Sequence, residues 1–183
     1  YLDRITFRLV LEEASRLATL ETGETQIIDE IPATRVAGIQ DAGIFQVRGA
    51  ARFGIARSMF LNTSLPPTDD LLVRQALLYG TDREGLNAAV FRGVYPIAYQ
   101  VLTPGVRFYN AGIEDAYPYD PERAIALLEE AGWTEINSDG YRVKDGEELF
   151  VNHATFAGYV AEAPSEIIQA QLREIGEIGR AHV

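Results

Sequence analysis

The chain contains no cysteine, one methionine, one tryptophan and two histidines among its 183 residues. Without thiols there is no disulfide, no thiolate nucleophile and no cysteine-ligated zinc. The redox compartment stays open, because a thiol-free chain suits either side of a membrane. Positive charge is also scarce: 16 Lys and Arg stand against 27 Asp and Glu, a net charge of -11. That balance leaves no surplus to neutralise a phosphate backbone, so nucleic acid is excluded as an expected partner. No apolar run approaches the roughly 20 residues needed to cross a bilayer. There is no nucleophile elbow, no Walker loop and no GxGxxG, which removes the commonest local signatures of acyl, phosphoryl and hydride transfer. What remains, at 47% hydrophobic residues, is enough apolar material for a globular chain with a sizeable core.

Both ends read as cuts. The chain opens at Tyr1 with neither an initiator Met nor a charged and apolar leader, and it is already strand-like within a few residues. At the other end, Ile178-Gly179-Arg180-Ala181-His182-Val183 is the hexapeptide that a common sequencing-library adapter encodes in one frame. Residues 178–183 are therefore expected to be a non-native tail; the same six codons in an independent clone would make them genuine.

Periodicity sets out the elements. Asp3 to Val10 alternates, with Ile5, Phe7 and Leu9 on one face, as a half-buried strand does. Leu11 to Glu21 changes to helical spacing and stops at Gly23, and Gln26-Ile27-Ile28 reads as a short strand, so this stretch predicts a parallel pair with a crossover helix. Ile44 to Val47 and Ser58 to Asn62 lean towards strand before Pro66-Pro67. Asp69 or Asp70 caps a helix through Leu77, and Thr81-Asp82-Arg83-Glu84 has the spacing of a capping box opening another, which buries Leu86, Ala89 and Val90 and ends near Gly93. Residues from Tyr95 to Pro118 predict a long loop, and Asp120-Pro121-Glu122 opens a helix that runs up to Gly132. A small hairpin about Tyr141-Arg142-Val143, a strand from Leu149 to Asn152 and a helix from Pro164 to Gly176 complete the chain.

The signals for chemistry are weak. Glu12-Glu13, Asp69-Asp70 and Glu129-Glu130 are paired acids, but each sits at a helix start or on a polar face. Glu135 to Gly140 faintly resembles a calcium loop, yet Gly146 stands where a bidentate Glu is required, and turn chemistry explains the stretch. His153 has no acidic or nucleophilic neighbour at a diagnostic spacing. Phe60, Tyr95, Tyr99, Phe108 and Tyr109 gather near the break at Pro66-Pro67 and in the loop after it. They fit either the wall of a ligand cleft or, ring by ring, ordinary core packing.

Several blocks, in order, resemble the extracytoplasmic solute-binding proteins of ABC importers, in the oligopeptide, dipeptide and nickel-binding family (family 5). They are Ala14-Ser15-Arg16-Leu17-Ala18-Thr19-Leu20-Glu21-Thr22-Gly23-Glu24, Phe60-Leu61-Asn62-Thr63 with Pro66-Pro67, and Asp70 with Val73-Arg74-Gln75-Ala76-Leu77 and Thr81-Asp82-Arg83-Glu84. Gly93 with Pro96-Ile97-Ala98, Tyr117-Pro118-Tyr119-Asp120-Pro121-Glu122-Arg123-Ala124, Glu130-Ala131-Gly132-Trp133, and Ile168 to Gly176 follow. Each block is weak alone; their order and spacing carry the resemblance.

The resemblance implies an α/β, periplasmic-binding-protein-like type II two-lobed fold, present in part, with mixed sheets flanked by helices. Residues 1–56 would be part of the first lobe and 57–177 part of the other large lobe, with a hinge near Ile55 to Ser58 to which Gly54 contributes. It implies ligand-binding residues Asp29, Glu30, Met59, Phe60 and Asn62, no catalytic residue, no metal site and no cofactor. The implied ligand is a peptide or other small solute. The implied partners are ABC permease subunits in the membrane, with the full-length protein a monomer in the periplasm or on the outer face of the membrane, where a lipid anchor is an option. A ligand-sensing domain of a regulatory protein, and an enzyme whose catalytic residues lie outside these residues, are the alternatives.

Overall fold

Helices in this chain begin where an acidic side chain takes up free backbone N–H groups. The computed structural model describes residues 1–49, 54–114, 116–155 and 159–182. They fall into two units, Tyr1–Gly49 and Ala50–Val183, each taken by itself below.

In the first unit, Glu12 caps α1 (Glu13–Glu21) by accepting from the N–H groups of Ala14 and Ser15. Hydrogen bonding from Ser15, side chain and backbone, and from the Ala14 backbone holds the Glu12 carboxyl below its ordinary range. α1 buries Leu17, and α2 (Ala33–Ala42) buries Ile39 before stopping at Gly43 in the left-handed conformation. Two sequence expectations fail here. Residues 3–10 and 26–28 form no ladder; Ile5, Phe7 and Leu9 are exposed, and no strand of the described residues pairs with them. Alternation defines two faces, but a strand needs a partner to satisfy its backbone. The Ile44 to Val47 stretch likewise stays outside any strand.

The second unit is built on helices carrying apolar residues at i, i+3 and i+4. α3 (Leu71–Tyr79), capped by Asp70, buries Val73, Ala76 and Leu77. α5 (Pro121–Glu130) buries Ala124, Leu127 and Leu128. These faces meet one another and Trp133, Leu149, Leu172 and Ile175 in a single core. A fully buried leucine such as Leu128 contributes roughly 1.5–3 kcal/mol. α4 (Arg83–Phe91) starts at Asp82, one residue after the expected Thr81, because the Asp82 carboxylate reaches Gly85 N while the Thr81 hydroxyl donates to Leu77 O. Of its expected buried residues only Val90 is fully buried, and Ala89 is exposed. Gln171 clamps this start to α6 (Tyr159–Glu174), accepting from Asp82 N at 3.1 Å and donating to Asp82 O at 3.2 Å.

The long loop holds one short 3-10 helix, Ala111–Ile113, and an isolated bridge between Ile55 and Leu102. Ser58 to Asn62 forms no strand. β1 (Glu135–Ile136), β2 (Arg142–Lys144) and β3 (Glu147–Glu148) make a small antiparallel sheet. β4 (Phe150–Ala154) pairs in parallel with β5 (Ile178–His182), with α6 as the crossover. The parallel pair expected in the first unit thus occurs in the second. β5 covers the described part of the expected tail; Val183 lies outside the described residues. α6 begins before Pro164, which sits inside it rather than at its start.

Asp120 ties two of these helices together. Its Oδ1 accepts from Arg123 N at 2.9 Å, and its own N–H donates to Tyr79 O at 2.9 Å. Asp120→Ala is expected to lower stability by about 1 kcal/mol, the usual value of an N-cap. An unchanged midpoint in chemical denaturation would show the cap to be idle.

Candidate functional site

Of the residues expected to meet a ligand, Asp29 and Glu30 lie in the first unit and are exposed. Their backbone is fixed from behind by Arg16 on α1, whose guanidinium donates to Asp29 O, Glu30 O and Val10 O, each at 2.9 Å. Glu30 has φ 56, the left-handed region that a side chain adopts only when its surroundings hold it there. Asp29 Oδ1 accepts from Glu30 N at 3.0 Å, which completes the turn. Arg16 was legible only as part of a resembling block. Its work, three carbonyls served by one planar fork, depends on where the chain returns after α1.

Met59, Phe60 and Asn62 lie in the second unit. Leu61 packs on the core, and the residues beside it turn outward: Phe60 is 78% exposed and Met59 38%. Asn62 is held at both its groups. Its Oδ1 accepts from Ser64 N at 3.0 Å, and its backbone carbonyl accepts from the buried Thr68 hydroxyl at 2.7 Å. Arg74 then donates to Thr68 O and Asp69 O, each at 2.8 Å, anchoring the segment to α3.

Beneath Met59 is a cavity of about 20 Å³. Its wall includes Leu77 of α3, Val151 and His153 of β4, Leu172 of α6, and Glu177. Glu177 is fully buried, and burial pushes its carboxyl up to about 7 against an ordinary 4.5. Burial lowers the pKa of His153. His153 and Glu177 are too far apart in sequence for any motif to join them.

The aromatics do not gather into one wall. Phe60 and Phe108 are exposed, so core packing is not their fate. Tyr95 packs edge-on against Phe91, Tyr99 lies under the Arg83 guanidinium, and the Tyr109 hydroxyl donates to Glu114. The paired acids act structurally, with Glu12 and Asp70 as caps and Glu129 facing Arg142 at 3.4 Å. Asn137 closes the calcium-like stretch as a turn, accepting from Asp139 N and Tyr141 N.

Comparison with known proteins places this geometry in a family. The sequence model of the bacterial extracellular solute-binding proteins, family 5 (middle), matches residues 1–178. The chain belongs to this family. Similar family members include the nickel-binding periplasmic protein of Escherichia coli, 29% identical over 96% of this chain and 34% of its own length. The glutathione-binding protein GsiB of Salmonella typhimurium is 31% identical over 96% of this chain and 31% of its length. Among solved structures, NikA of Brucella suis in complex with Fe(III)-EDTA superposes with a TM-score of 0.81 at 28% identity, over 94% of this chain and 35% of that one. The chain thus spans about a third of the relatives it matches. The fold is that of the family 5 binding proteins, present in part.

Proposed function

We propose that this chain is part of the solute-binding component of an ABC importer, which captures a peptide or similar small solute between two lobes and delivers it to a membrane permease. The observation that carries this reading is the family match along nearly the whole chain. The named relatives bind nickel and glutathione, and heme and dipeptides recur among others, so capture is the shared activity while the solute varies. In this reading the protein carries out no covalent chemistry and works as a monomer in the periplasm or on the outer face of the membrane. Residues 1–56 and 57–177 belong to the two lobes, and residues 178–183 are foreign to the natural chain, a point that an independent clone decides.

The proposed contacts are Asp29 and Glu30 from one lobe and Met59, Phe60 and Asn62 from the other. Supporting them, two exposed carboxylates stand on a turn that Arg16 makes rigid, and an exposed ring stands beside an anchored amide. Rigid backbones under exposed side chains reduce the ordering cost of capture.

Native mass spectrometry of the full-length protein is expected to reveal a co-purified solute that is released on denaturation. Titration of that solute into Asp29→Ala and Asn62→Ala is expected to show affinity lowered about tenfold, about 1.4 kcal/mol, in each. Unaltered affinity in both variants would refute these contacts, and turnover of the solute would refute the binding role.

A further inference from the structure

A buried carboxylate needs a counter-charge or a full set of donors, and Glu177 has neither within the chain. Its Oε1 accepts from Val151 N at 3.2 Å, while Oε2 is buried with no protein partner. The carboxyl lines the cavity beneath Met59, whose wall holds no Lys or Arg. The other titratable group on that wall is His153 of β4, which its burial favours in the neutral form. Met59, Leu77, Ile168 and Leu172 supply apolar surface from the remaining elements. The missing positive charge therefore has to come from a guest.

The size of the cavity limits that guest. About 20 Å³ accommodates one group of water's dimensions. A divalent metal is a poor match, since it demands several oxygen ligands, and no group of three metal-ligating side chains occurs among the described residues. An ammonium group has the right size, a single positive charge and several N–H donors, one of which suits a lone carboxylate oxygen. We propose that the cavity lined by Glu177, His153 and Met59 binds one ammonium group, either the free ion or the amine tip of a captured solute. The second source rests on the proposed function, because Met59 is among its proposed contacts; the first does not.

The test is thermal unfolding of the full chain in equal concentrations of ammonium, n-butylammonium and tetramethylammonium chloride, at pH about 8.5 and about 5.5, either side of the Glu177 titration. Tetramethylammonium is a cation with no N–H and is too large for the cavity. At the higher pH, ammonium is expected to raise the melting temperature by roughly 2–4 °C over tetramethylammonium, the shift that a modest site produces in a chain of this size. The shift is expected to vanish at the lower pH and in both Glu177→Gln and Glu177→Leu. A shift with ammonium alone assigns the site to the free ion, and a shift with n-butylammonium as well assigns it to an amine tip. Equal melting temperatures in all three salts at the higher pH would overturn the proposal, as would an ammonium shift that persists at the lower pH or in a variant. Because the readout does not involve solute capture, a negative result leaves the transport reading standing, and a failure of solute binding leaves this site standing.

Discussion

Arg142→Ala is expected to destabilise the second unit by about 3–5 kcal/mol, the range found when one partner of a buried charged network is removed. Arg142 is 4% exposed although it sits on a strand of three residues. Its Nε donates to Ile175 O at 2.9 Å, and its Nη1 donates to Trp133 O at 2.8 Å. These carbonyls lie just past the ends of α6 and α5, where unpaired C=O groups and the negative end of the helix dipole favour a cation. The backbone N–H of Arg142 donates to Gly176 O at 2.8 Å, so side chain and main chain fix the same segment. Gly176 has φ 87, and a Cβ there would come within 2.7 Å of Arg142 Cγ, so this approach admits no larger residue without displacement. Truncation leaves two carbonyls without a donor and opens a void beside the core. Arg142→Lys is expected to recover only part of the loss, because one ammonium does not reproduce a planar fork aimed at separate carbonyls. Chemical denaturation followed by tryptophan fluorescence reports the change beside Trp133. A loss below about 1 kcal/mol for Arg142→Ala would show that the network contributes no more than an ordinary hydrogen bond.

What could be read from the sequence was whatever depends on neighbours along the chain. α3 and α5 were legible because Asp70 and Asp120 supply caps and the apolar residues recur at i, i+3 and i+4. α2 was not, since Pro32 offers no side-chain acceptor and a single residue, Ile39, is fully buried. Residues 3–10 show the converse: the alternation is genuine, but pairing belongs to another segment and cannot be inferred from one. The Met59 to Asn62 segment was found by resemblance, and the structure adds the reason for its rigidity, the hold of Thr68 and Arg74. Arg16, Arg142 and Glu177 stayed hidden because each acts across a tertiary closure. Arg142 reaches its α6 carbonyl over 33 residues, and Glu177 reaches β4 over 26.

The second large effect is one of pH. In the unfolded chain the Glu177 carboxyl titrates at its ordinary 4.5, and in the folded chain burial moves it to about 7. Between those values the folded state keeps a proton that the unfolded state has released, so stability falls as pH rises through this window and levels off above it. The full span corresponds to about 3 kcal/mol. His153 works in the opposite sense: its folded pKa is lowered, so its contribution is lost as pH falls through the ordinary imidazole range. Glu177→Gln separates the two, since an amide still accepts from Val151 N but does not titrate over this range. In sodium salts, where no ammonium guest competes, the variant is expected to surpass the parent by about 3 kcal/mol at pH about 8, with the difference closing towards pH about 4.5. Parallel stability–pH curves for parent and variant would mean that the carboxyl is ionised and accommodated throughout, and that the cavity beneath Met59 is hydrated well enough to hold a charge.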